Sequence, residues 1–125
     1  VFIYGPDFTL NVDDRWVLNF QYTMRNDSEV YSSPGSLDPM EDLDTEGILA
    51  ELVYSPKAEN SDWYLLSMYN KVDSDFEPAN YESVTFHAGY MLRRNVRLAG
   101  EYTYVMDGPQ ESEYGRFSFG FVSAF

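Results

Sequence analysis

The sequence predicts an all-β fold, an antiparallel up-and-down arrangement of about seven strands, and three observations carry that expectation. Apolar and polar residues alternate with period two in segment after segment, whereas helical spacing is hard to find. The alternating segments run to about ten residues, longer than the five or six usual in soluble sheets. The connections between them alternate in length, as expected when every second link of a meander lies at the same end.

Each segment justifies itself in turn. Phe2 to Val12 sets Phe8, Leu10 and Val12 against Thr9 and Asn11, with Pro6 marking an irregular first half because proline donates no ladder hydrogen bond. Arg15 to Met24 is the clearest strand. Trp16, Leu18, Phe20, Tyr22 and Met24 take one face, and Val17, Asn19, Gln21 and Thr23 the other. Gly47 to Ser55 puts Ile48, Ala50, Leu52 and Tyr54 opposite Glu51 and Val53. Trp63 to Val72 is apolar on both faces at its start, so its orientation stays open. Glu82 to Leu92 alternates Val84, Phe86, Ala88 and Tyr90 with Ser83, Thr85, His87 and Gly89. Val96 to Met106 sets Leu98, Tyr102 and Tyr104 against Arg97, Ala99, Glu101 and Thr103. The last segment sets Phe117, Phe119, Phe121 and Phe125 against Arg116, Ser118, Gly120, Val122 and Ala124.

Length and composition narrow the function. The 125 residues suit a single unit, 1–125, with no separate soluble domain. Asp+Glu 21 against Lys+Arg 8 gives a charge of -13, which repels nucleic acid. Aromatics at 18% argue against disorder, and no run of 18 apolar residues offers a transmembrane helix. Cys is 0, which excludes disulfide scaffolds, thiolate zinc, iron–sulfur clusters and covalently attached c-type haem. The chain starts at Val without a basic-then-apolar leader, and is read as a processed chain or a fragment.

Charge sorts by end. Long links run from Asn26 to Glu46, Asp73 to Tyr81 and Asp107 to Glu113, and none contains Lys or Arg. Most of the acids sit in or beside them. Short links at Asp13-Asp14, Lys57 to Ser61 and Arg93 to Asn95 mix both signs.

A one-sided strand can bury its apolar face in a protein core or in lipid. Strands of about ten residues, tilted near 45°, span a hydrocarbon layer. Lys is nearly missing from the polar face, and Tyr, Phe and Trp cluster near strand ends, where amphipathic rings suit the membrane–water boundary. Together with short turns at one end and long loops at the other, this favours a transmembrane β-barrel.

The terminus Phe117-Ser118-Phe119-Gly120-Phe121-Val122-Ser123-Ala124-Phe125 resembles the closing strand of Gram-negative outer-membrane β-barrels. In that family the chain ends on an aromatic after alternating apolar residues, a signal read by the barrel-assembly machinery. Phe117, Phe119, Phe121 and Phe125 match, while Ser123 departs from the pattern. The resemblance implies the outer membrane, contact with lipid and lipopolysaccharide, and the C-terminal portion of a larger porin-like channel for passive diffusion of small solutes or ions. Seven strands are odd in number, whereas closed single-chain barrels are normally even, so further N-terminal strands or another chain are expected to complete the wall.

The residues themselves suggest no enzyme. Nucleophile-elbow, zinc-protease and phosphate-loop motifs are absent, and the lone His87 cannot form a multi-histidine metal site. No cofactor or metal is expected. The turn at Arg93 to Asn95 places His87 opposite Glu101, and Arg116 falls diagonally from Glu101, with Arg97 close by. Together with Glu51 these residues form the expected lumen wall, either a stiffening salt-bridge ladder or a charged constriction that biases permeation. Asp38, Glu41, Asp42 and Asp44 make an acidic extracellular loop that enriches cations at a pore mouth. Three other readings stay open: a soluble lipocalin-like ligand-binding barrel, a barrel enzyme whose catalytic set lies upstream, and a scaffold barrel sheathing an electron-transfer partner.

Overall fold

The computed structural model describes residues 2–28, 42–76, 79–108 and 113–123. They form one antiparallel sheet of eight strands: β1 (Phe2–Tyr4), β2 (Asp7–Val12), β3 (Trp16–Asp27), β4 (Leu43–Tyr54), β5 (Trp63–Ser74), β6 (Tyr81–Arg93), β7 (Val96–Asp107) and β8 (Tyr114–Ser123). Spatial order follows chain order, and β1 and β2 both lie along the same edge of β3.

The single first strand expected over Phe2 to Val12 is interrupted at Gly5-Pro6. Tyr4 faces Met24 and Asp7 faces Gln21, so the register carries through without a slip. Pro6 accepts from the Tyr22 N–H at 3.0 Å but has no N–H to return. The Tyr22 carbonyl lies so close to Gly5 that a side chain there would collide with it.

Turn chemistry explains the tight connections. Asp13 and Asp14 both have positive φ, 58° and 52°, which a hairpin turn of the mirror-image type demands and aspartate tolerates. Arg94 and Asn95 alone join β6 to β7, with Arg93 facing Val96. The expected contrast between short and long links is weaker than the sequence suggests. The link between β4 and β5 takes up residues 55–62, including a 3₁₀ turn at Ala58–Asn60, while 75–80 suffices between β5 and β6. The cause lies at the acidic end, where polar residues read as loop remain in the ladder. Asn26 faces Asp44, and Thr45 faces Ser74 with their hydroxyls 2.9 Å apart. Side-chain hydrogen bonds between opposed polar residues support the pairing there. At 12 residues, β3, β4, β5 and β7 each reach about 40 Å at the ordinary rise.

Register sorts the whole sheet into two faces. One row reads Leu10, Leu18, Leu52, Ser67, Phe86, Tyr102 and Phe117, and the next Val12, Trp16, Tyr54, Leu65, Ala88, Gly100 and Phe119. The opposite face carries Thr9, Asn19, Glu51, Met68, Thr85, Thr103 and Arg116 in one row. Trp63 and Leu65 thus join the apolar face, and Tyr64 the polar one.

Burial runs opposite to that of a water-soluble domain. Among the described residues the one buried apolar side chain is Val105, at 2% exposure, and the other buried side chains are Ser74, Ser83, Thr85 and Thr103. All five lie on the polar face. Trp16, Phe20, Tyr102 and Phe119 are 42%, 41%, 43% and 68% exposed. They do not meet in a central core.

The closed barrel is not what the described residues form. β1 and β2 at one margin and β8 at the other pair on one side only, leaving an open sheet. Seven positions across an up-and-down sheet make the two margins parallel to each other, so joining them would break the antiparallel pattern. Among the described residues no helix is long and apolar enough to cross a membrane.

Candidate functional site

The polar face brings titratable groups together on β5, β6 and β7. His87 faces Glu101 directly, as the turn predicts, with Nδ1 3.2 Å from Oε2. The register also brings in Tyr64, whose hydroxyl lies 3.0 Å from His87 Nε2. The two rings stack, with centroids 5.5 Å apart and planes 22° from parallel. Gly89 makes this possible, since it faces Tyr64 and a Cβ there would run into the phenol ring.

The hydrogen-bonding inventory assigns the protons. An ionised carboxylate only accepts, so in the contact with Glu101 Nδ1 is the donor, and a neutral ring in that tautomer has a bare Nε2 that accepts from the Tyr64 O–H. The carboxylate thereby orients the imidazole, and Tyr64 holds it from the other side. One row along, the Thr85 and Thr103 hydroxyls pair at 3.0 Å in a buried site.

The remaining expected wall residues separate from this cluster. Arg116 faces Thr103 and lies diagonal to Glu101, as predicted, yet makes no ion pair with it within 4.0 Å among the described residues. It lies on the marginal strand β8, where its position is shared with no further neighbour. Arg97 is not close by. It faces Met91 and Val122, four residues along β7 from Glu101, or about 13 Å at the strand rise. Glu51 belongs to a second chain of hydrogen bonds. The Thr9 hydroxyl donates to Asn19 Oδ1 at 3.0 Å, and Asn19 Nδ2 donates to Glu51 Oε1 at 2.9 Å.

At the acidic end, Asp44 is tied into the sheet. Asn26 Nδ2 donates to its carboxylate at 2.6 Å, and its backbone N–H donates to Asp75 Oδ2 at 3.1 Å. Asp42 immediately precedes β4, whereas Asp38 and Glu41 lie outside the described residues. Asp44, Glu46, Asp73, Ser74 and Asp75 line a polar depression there. Among the described residues no three His, Asp or Glu are grouped to hold a metal ion. Two cations on the strands reach this end. Arg25 pairs with Asp27 at 2.7 Å, and Lys71 lies 3.9 Å from Asp73.

Tyrosines of the apolar face also reach acids near this end. The Tyr69 hydroxyl donates to Glu82 at 2.8 Å and that of Tyr104 to Glu113 at 2.6 Å. A depression of about 430 Å³ opens among apolar-face side chains including Trp16, Tyr54, Leu65, Phe86, Tyr102 and Phe117, and His87 and Glu101 of the polar cluster also line it. It arises where small Ser67, Ala88 and Gly100 sit between large rings. Phe117, Phe119 and Phe121 stand exposed on this face of β8, and Phe125 lies outside the described residues.

Tyr64 is the member that pattern reading missed, because Trp63 to Leu66 is apolar on both faces. A tyrosine two rungs from a histidine, facing a glycine, was the available signal. Compared with family models, with curated proteins and with solved structures, the chain finds no match.

Proposed function

We propose that the chain is a section of the wall of a porin-like β-barrel in a bacterial outer membrane, passing small solutes or ions by passive diffusion. One observation carries the reading. Aromatic and aliphatic side chains cover the exposed face, while the buried side chains of the other face are almost all hydroxyls. A face of Phe, Leu, Trp and Tyr gains from contact with hydrocarbon, and a face of Thr, Asn, Glu and His gains from contact with water. Strands of 12 residues are long enough to cross the hydrocarbon layer and carry their acidic ends beyond it. Lipid does not tolerate unpaired backbone, so further strands complete the margins at β1–β2 and β8. The Phe-rich β8 is the segment offered to the assembly machinery, and lipid and lipopolysaccharide are the partners of the apolar face.

Ion preference follows from the acidic end. Asp42, Asp44, Glu46, Asp73 and Asp75 concentrate cations and repel anions at the mouth, an effect that salt screens over about 10 Å at 0.1 M. The test is conductance across planar lipid bilayers under a KCl gradient. A reversal potential of cation-selective sign is expected, and it should shrink when Asp42, Asp44, Asp73 and Asp75 become Asn. Insertion without conductance would instead favour a scaffold barrel whose interior a partner fills.

A further inference from the structure

We infer that His87, held by Tyr64, makes the charge of the lumen wall at Glu101 proton-dependent, so that acid weakens the cation preference at that level; this rests on the porin-like reading. Three observations on β5, β6 and β7 support it. Glu101 faces His87 at 3.2 Å yet keeps 41% of its side chain exposed, so its charge is felt by whatever passes the wall. His87 is the only histidine of the chain, and an imidazole can take up a second proton and with it a positive charge. Tyr64 supplies a hydroxyl to Nε2, and a hydroxyl both donates and accepts.

That last point lets one set of heavy atoms serve both charge states. With the ring neutral, the Tyr64 O–H donates to Nε2, and Glu101 presents a full negative charge. With the ring protonated, Nε2–H donates to the Tyr64 oxygen, whose own proton turns to water, and the His87–Glu101 pair becomes neutral overall. No strand has to move. Leu66 on β5 and Glu101 on β7 face His87 in the register, Tyr64 reaches it diagonally, and the adjoining Thr85–Thr103 pair is uncharged. Arg116 on β8 lies diagonal to Glu101 without an ion pair, and Arg97 stands farther along β7.

The experiment compares reversal potentials from pH 8 to pH 5 for the wild type and for His87→Gln, alongside ring-nitrogen NMR of the single histidine. One unit of charge at the wall changes the cation-to-anion permeability ratio by about twofold across water. In the wild type the ratio should fall by that factor beyond any fall seen in His87→Gln, where only the rim carboxylates titrate. At pH 8 the ring should carry its proton on Nδ1, in Tyr64→Phe as in the wild type, because Glu101 accepts from it. Glu101→Gln probes the same pair from its other partner and should lower the ratio already at pH 8. A cation-selective channel with the same pH dependence in His87→Gln, or a ring protonated on Nε2 at pH 8, overturns the inference and leaves the porin-like reading standing. A protein that inserts and does not conduct overturns both.

Discussion

Phe86 and Tyr102 face each other across β6 and β7, and so, one residue away, do Thr85 and Thr103. The aromatic pair is exposed and the threonine pair is buried. Pairing, length and strand neighbours are the same for both, so the difference lies in which side of the sheet each occupies. A sheet built for water would put the rings inside and the hydroxyls out. This one leaves its rings exposed and keeps hydroxyls, an imidazole and carboxylates on the opposite face, where Thr85 meets Thr103, His87 meets Glu101 and Asn19 meets Glu51 across the strands.

The contrast can be broken most strongly by placing a charge on each face. Leu52→Arg, in the middle of the apolar face, should cost about 2–4 kcal/mol when unfolding is followed in lipid vesicles. Ser118→Arg, on the polar face opposite Glu101, should cost less than about 0.5 kcal/mol. Equal costs would erase the distinction between faces. Glycines give a finer comparison. Gly89→Ala forces Tyr64 off its position and should cost about 1–3 kcal/mol, with loss of the Tyr64–His87 contact visible in the histidine ring spectrum. Gly100→Ala, on the apolar face, meets nothing within 4 Å and should stay within about 0.5 kcal/mol of the wild type.

Much of this arrangement was legible in the residues. Period-two alternation placed Trp16, Phe20, Tyr102 and Phe119 on one face, and the turn at Arg93 to Asn95 set His87 against Glu101, because a tight turn fixes the register of its hairpin. Three features escaped for physical reasons. Trp63 to Leu66 is apolar at every position, which removes the alternation that would have shown Tyr64 on the same face as His87. The polar residues around Asn26, Asp44 and Ser74 read as loop, although side-chain hydrogen bonds keep them in the ladder at the acidic end. Arg97 and Arg116 share a face with Glu101, but sharing a face sets only where a side chain starts. Distance along β7 removes Arg97 from the cluster, and Arg116 makes no ion pair from the margin. Sheet closure was never a local property, since it depends on neighbours for β2 and β8 rather than on their own patterns.

The central claim is that one face meets hydrocarbon and the other water, and thiol scanning along β7 tests it most directly. The chain has no cysteine, so each introduced thiol is the only one. With the protein in lipid vesicles, a water-soluble maleimide should label Cys at positions 97, 99 and 101 and leave Cys at 98, 100, 102 and 104 unmodified. Labelling of the second set with protection of the first, or equal labelling of both, would contradict it.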